Sequence, residues 1–123
     1  MQAQLLLRRS FRTEIAYLLL AAYVSEYYVD PVDTALLHVA ALTDLSVNGE
    51  RIMAFAEPFN WNQVLAILRK LRPEADLPKN LEDDSKDLST VDTELAVKLL
   101  KSMGQDGFKP LEQGLKECVD SFN

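Results

Sequence analysis

The chain has 123 residues, 48% of them hydrophobic, which suits one domain with one modest core and argues against a second full domain. Thirteen Lys and Arg against nineteen Asp and Glu leave a net charge of −6, which repels a phosphate backbone, and the one basic cluster, Arg8, Arg9 and Arg12, is too short a footprint for nucleic acid. A single cysteine, Cys118, and a single histidine, His38, exclude an intrachain disulfide and a Cys/His zinc site, and fit a reducing, cytoplasmic compartment.

The arginines near the start also fit a mitochondrial transit peptide, the alternative address. The apolar run Ala16 to Val24 is shorter than the roughly 20 residues a membrane span needs, so no membrane association is expected. Ile15, Leu18, Leu19 and Ala22 recur at helical spacing, with Leu20 and Val24 widening the face. Residues 1–26 are therefore expected to form a helical segment of their own, and one apolar enough to need covering.

Tyr27, Tyr28 and Val29 form an aromatic and β-branched run suited to a strand. Asp30 then signals a helix start, with Pro31 at the first helical position. The spacing predicts an apolar stripe of Val32, Ala35, Leu36, Val39 and Ala40, with His38 beside it as a structural, partly buried residue lacking any carboxylate or thiol to orient it as a base. After the polar turn Thr43 to Gly49, Arg51 to Ala56 reads as a second strand carrying Ile52, Met53 and Phe55. Together these elements predict a βαβ unit with a right-handed crossover, in a sheet of two or three strands that needs neighbours for stability.

Pro58 is expected to end that strand. Asn60 and Gln63 resemble a capping pair for the next helix, whose face is Trp61, Val64, Leu65, Leu68 and Leu71. Arg69, Lys70 and Arg72 crowd its C-terminal end and Pro73 closes it. Glu74 to Lys86 reads as an exposed acidic loop. Glu82, Asp83 and Asp84 in it, and Asp87 just beyond, lack the alternating ligands and turn glycine of a calcium loop. Asp92 is expected to cap a helix with the face Leu95, Leu99 and Leu100 and a stop at Gly104. A final helix from about Pro110 carries Leu111, Leu115, Val119 and Phe122, with Cys118 at the stripe's edge as a packing residue.

Dinucleotide binding needs a glycine-rich turn between a strand and a helix, so that backbone N–H groups can reach a pyrophosphate. Gly49, Gly104, Gly107 and Gly114 never form one, so no cofactor-binding, catalytic or metal residue is assigned. Three stretches nevertheless carry a resemblance in order and spacing: YYVDPVDTALLHVAAL, GERIMAFAEPFNWNQVLAILRKLRP and DLSTVDTELAVKLLKSMGQDGFKPLEQGLKECVDSF. They are similar to the C-terminal, substrate-side part of fungal extended short-chain dehydrogenase/reductases, relatives of dihydroflavonol and cinnamoyl-CoA reductases in the NAD-dependent epimerase/dehydratase family.

The resemblance implies that residues 27–123 are the substrate-side region of a Rossmann-type NAD(P)-binding reductase, in an α/β architecture mostly helical with a small sheet remnant. It implies NADP(H) and the reduction of aldehydes or ketones for the full-length family. The Tyr-x-x-x-Lys pair of that family has no match, because none of Tyr17, Tyr23, Tyr27 and Tyr28 has a lysine four positions on. A chain of this sequence is thus expected to be inactive alone and to bind no cofactor by itself. Where the family has Val-Asp-Val-Arg-Asp, this chain has Val29 to Asp33 with Val32 in place of the arginine. Tyr27 and Tyr28 are the substrate-side candidates. The expected partner is a Rossmann-domain chain, or another copy through self-association; the alternative is a non-catalytic interaction protein built on the same region.

Overall fold

The computed structural model describes residues 26–122. Apart from Glu26, the segment expected to be helical over residues 1–26 lies outside them. The elements are β1 (Glu26–Tyr28), α1 (Pro31–Thr43), β2 (Glu57–Phe59), α2 (Trp61–Leu71), α3 (Glu94–Ser102) and α4 (Leu111–Asp120). The fold is mostly helical, with one two-stranded antiparallel sheet in which Glu26 faces Phe59, Tyr27 faces Pro58 and Tyr28 faces Glu57.

This sheet corrects the sequence reading twice. The expected βαβ crossover is absent, because the strands run antiparallel. The expected strand Arg51–Ala56 carries no sheet pairing, and the partner of β1 is the following segment, which includes Pro58. Proline is tolerated on sheet edges, and in a two-stranded sheet both strands are edges. Arg51–Ala56 still alternates like a strand: Ile52 and Ala54 pack on one core cluster, while Phe55 meets the ring of Tyr27. Ladder bonds need a neighbouring strand, and among the described residues the segment meets one only at its last residue, where Ala56 N donates to Tyr28 O at 2.8 Å.

α1 starts where its cap requires: Asp30, at φ −72° and ψ 139°, accepts a 2.9 Å hydrogen bond from Val32 N, and Pro31 follows. Its buried face is Asp33, Leu37 and Ala40, with Leu36 packed beside them, so of the predicted stripe Leu36 and Ala40 face inward and the other three do not. Val32 and Val39 are 51% and 46% exposed, and Ala35 is exposed as well. The helix is apolar nearly all round, so periodicity alone could not choose its inner face; burial of Asp33 chose it. His38, on the outer side, is exposed, and its Nδ1 donates to the Thr34 carbonyl at 2.7 Å.

α2 opens at the predicted cap, with Asn60 accepting from Gln63 N at 2.9 Å, but the expected pair is one-sided, since among the described residues Gln63 Oε1 accepts no bond in return. α3 begins at Glu94, behind an Asp92 carboxylate that accepts from Glu94 N at 3.0 Å. It ends in a Schellman closure, Gln105 N donating to Leu100 O and Gly104 N to Lys101 O, with Gly104 at φ +88°. Phe122, predicted on the inner stripe of α4, is 51% exposed, because the helix ends at Asp120 and the chain turns away.

Two apolar clusters organise the molecule. Leu37 and Ala40 of α1 pack with Ala96, Leu99 and Leu100 of α3, against Ile52 and Ala54. Val64 and Leu68 of α2 pack with Leu111 and Val119 of α4, joined by Tyr28, Phe59 and Leu115. At 1% and 0% exposure, Leu99 and Leu100 are positions where truncation to alanine costs about 2–5 kcal/mol. Among the described residues no helix is long and apolar enough to cross a membrane.

Candidate functional site

Strand alternation sends the side chains of Tyr27 and Tyr28 to opposite faces of β1. Tyr27 is half-buried, its ring edge-on to Phe55 with centroids 5.5 Å apart and planes at 81°. Its hydroxyl donates to the Ser89 carbonyl at 2.6 Å, which ties β1 to the stretch before α3. The result is an aromatic wall whose polar end is already satisfied.

Tyr28 points the other way, into the cluster between α2 and α4. Its hydroxyl donates to Asp30 Oδ2 at 3.4 Å. The ring fits there because α4 carries a glycine at position 114: a Cβ on Gly114 would stand 1.9 Å from the phenol oxygen and 2.9 Å from Cζ. Burial, then the negative charge of Asp30 and the hydrogen bond to it, push the phenol up to about 12. A phenol so held is a poor proton donor near neutrality.

The carboxylate under Tyr28 belongs to a compact ionic network. Asp30, 5% exposed, pairs with Lys109 Nζ at 3.3 Å, and the same ammonium donates to Glu117 at 2.6 Å. The bond to Glu117 is the main force raising the Lys109 pKa, and Asp30 adds to it against the cost of desolvation. Glu117 is correspondingly lowered, first by Lys109 and then by Gln113. The Lys109 backbone N–H donates to Asp33 Oδ2 at 2.6 Å. Asp33 is 1% exposed, and among the described residues its Oδ1 has no hydrogen-bond partner. One lysine therefore locks both acids of the α1 start to the entry of α4, and its amine bridges Asp30 and Glu117.

Sequence reading brought Tyr27 and Tyr28 forward as a pair, whereas the structure gives them separate surroundings. It did not bring forward Lys109, Asp33 or Gly114. Gly114 had a usable signal, since an isolated glycine inside a helical pattern usually has a packing reason. Lys109 had none, because its contact with Asp33 spans 76 positions.

The other candidate chemistry is accounted for locally. Asp84 accepts from Asn60 and Asn62 at the start of α2, at 3.2 and 3.0 Å. Asp83 and Asp87 each accept from the serine N–H two residues on, and bonds to those serines hold both carboxyls low. Among the described residues no group of His, Cys, Asp and Glu could hold a metal ion. Cys118 is exposed.

A nicotinamide dinucleotide does not fit the residues present. Gly49 follows α1, Gly104 and Gly107 lie between α3 and α4, and Gly114 is inside α4, so none joins a strand to a helix N-terminus where a pyrophosphate would rest.

No protein-family model matches the chain. Individual proteins do. Aldehyde reductase 2 of Sporidiobolus salmonicolor is 38% identical over 102 residues, covering 83% of this chain and 30% of the relative. The NAD-dependent epimerase/dehydratase terH of Aspergillus terreus is 36% identical over 97 residues, covering 79% and 28%. The ketoreductase adrE of Penicillium roqueforti is 40% identical over 96 residues, covering 76% and 29%. The chain thus spans less than a third of the length of these relatives.

Proposed function

Because this chain belongs to the extended short-chain dehydrogenase/reductases, corresponding to their C-terminal, substrate-side portion, we propose that it forms the substrate-side wall of an NADP(H)-dependent carbonyl reductase. The cofactor turn and the proton donor then come from an α/β portion that these 123 residues do not contain. The reading rests on one observation, the similarity to aldehyde and ketone reductases over most of this chain.

Within the reading, Tyr27 and Phe55 line the wall, and the hydrogen bond to Ser89 fixes the tilt of the Tyr27 ring. Such a surface packs against the apolar part of an aldehyde or ketone and leaves the carbonyl to groups supplied opposite. Tyr28 and Lys109 hold the wall in place from behind, since their polar atoms are bound to Asp30 and Glu117.

Isothermal titration of the full chain with NADPH tests the reading. The chain alone should give no saturable heat. When the portion of the Sporidiobolus aldehyde reductase without a counterpart here is supplied, aldehyde should be consumed together with NADPH. Turnover by the chain alone would refute the proposal.

A further inference from the structure

Little holds the loop that leads from α1 to the strand-like segment. Its first turn is pinned, since Ser46 N donates to the Asp44 carboxylate at 2.9 Å and Val47 N to the Asp44 carbonyl at 3.1 Å. From Asn48 to Phe55 no backbone group makes a hydrogen bond among the described residues, and the next to do so is Ala56 N. Asn48, Gly49 and Glu50 are exposed, and the Asn48 carboxamide makes no hydrogen bond among the described residues. Gly49 sits at φ +68°, and a Cβ added to it would meet nothing within 4 Å.

An asparagine side chain can react with its own main chain, because attack of the following nitrogen on the carboxamide carbon closes a succinimide ring. The attack requires that neither the carboxamide nor the attacking N–H be held in a hydrogen bond, and that no side chain shield the nitrogen. Asn48 and Gly49 meet all three conditions. The other described asparagines do not. Asn60 is 5% exposed, and its side chain accepts from Gln63 N and donates to Asp84. Asn62 is bound to Leu81 N and Asp84, and Asn80 accepts from Arg69. The residues after them, Trp61, Gln63 and Leu81, all carry bulky side chains. Asp106–Gly107 could close the same ring, but a carboxylate is a much poorer acyl acceptor than an amide.

We propose that Asn48–Gly49 is a site of spontaneous deamidation, and that its isoaspartyl product loosens the junction between α1 and Arg51–Phe55. The Gly49 nitrogen gives up its proton to the solvent and bonds to Asn48 Cγ, while the Cγ–Nδ2 bond breaks and ammonia leaves. Water then opens the ring. Cleavage at Cγ yields aspartate, whereas cleavage at the backbone carbonyl carbon yields isoaspartate, in which the chain runs through Cβ and Cγ. Water is the only co-reactant, and nothing is oxidised or reduced. Either product adds one negative charge to a chain that already carries −6. Only the isoaspartyl product lengthens the main chain, by one methylene. Val47 before the site and Ile52 after it both pack on the α1–α3 cluster, so a longer path between them displaces one of the two anchors. This chemistry belongs to the chain itself and does not depend on the reductase reading.

The test incubates the folded full chain at mildly alkaline pH and follows each asparagine by peptide mapping and mass spectrometry. Isoaspartate is counted by enzymatic methylation with labelled S-adenosylmethionine. Asn48 should convert at least about tenfold faster than Asn62 or Asn80, because only its neighbour lacks a shielding side chain. Raising the pH should speed the conversion, since the attacking nitrogen reacts as its anion. Asn48→Gln should abolish it, because the longer side chain must close a larger ring, and this variant should unfold in urea where the parent does. The isoaspartyl fraction, separated by ion exchange, should unfold at a lower urea concentration than the fresh chain. Asn48→Asp, which has the charge without the extra methylene, should unfold like the parent. If Asn48 converts no faster than Asn62 and Asn80, or yields aspartate without isoaspartate, the site is wrongly assigned. An isoaspartyl fraction with the parent's unfolding midpoint would overturn the loosening of the junction.

Discussion

Replacing Gly114 by alanine tests how β1 is fastened to α4. On helix propensity alone the change should stabilise the chain by about 1 kcal/mol, because glycine in a helix interior carries that penalty. The structure predicts the opposite sign. The new methyl would lie 1.9 Å from the phenol oxygen of Tyr28 and 2.9 Å from Cζ, and the rigid ring cannot bend around it. Tyr28 must then leave its slot, losing part of its burial and its bond to Asp30, together about 2–4 kcal/mol. The net expectation is a destabilisation of about 1–3 kcal/mol, read from urea unfolding. A Tyr28→Ala background should reverse the sign, since there the methyl meets no ring and the propensity gain of about 1 kcal/mol remains. Phenolate absorbance gives an independent readout: the group titrating at about 12, absent from Tyr28→Phe, should fall toward 10.0 in Gly114→Ala. A Gly114→Ala chain that is more stable than its parent, with that titration unmoved, would refute the reasoning.

Asp30→Ala should cost about 2–4 kcal/mol, because it removes the α1 cap, leaves the Tyr28 hydroxyl without its acceptor and Lys109 with Glu117 alone, whereas Asp30→Asn keeps the cap and should cost less. Gly104→Ala should cost about 1 kcal/mol in denaturant unfolding: a Cβ there meets open space, so the penalty is purely that of the left-handed backbone at φ +88°. Tyr28 is raised on folding, so its contribution is complete below its unfolded value of 10.0 and is lost as pH climbs through about 12; thermal melts should weaken over that window, and less so in Tyr28→Phe. Glu117 is lowered on folding, so its contribution is present above its ordinary value of 4.5 and disappears as pH falls through the depressed one; Glu117→Gln should flatten that acid limb.

What the residues determined by themselves is local. Asp30 with Pro31 and Asn60 with Gln63 announce the starts of α1 and α2 within their own first turns, and Gly104 announces the end of α3, because caps are made by neighbours in the chain. The family was legible too, since it lies in the order and spacing of stretches that any fold of this chain must retain. The faces were legible only where polar residues contrast with apolar ones, as in α2. In α1 there is no contrast, so its inner face was decided by the tertiary contact of buried Asp33 with Lys109. Arg51–Ala56 has the composition of a strand, but a strand exists only beside another, and the pairing of β1 with Glu57–Phe59 was settled by where the chain returns. The separation of Tyr27 from Tyr28 follows from the same cause. One tyrosine meets Phe55 and Ser89, the other Gly114 and Asp30, and these contacts are created by the segments that pack on the two faces of β1 rather than by the two adjacent residues.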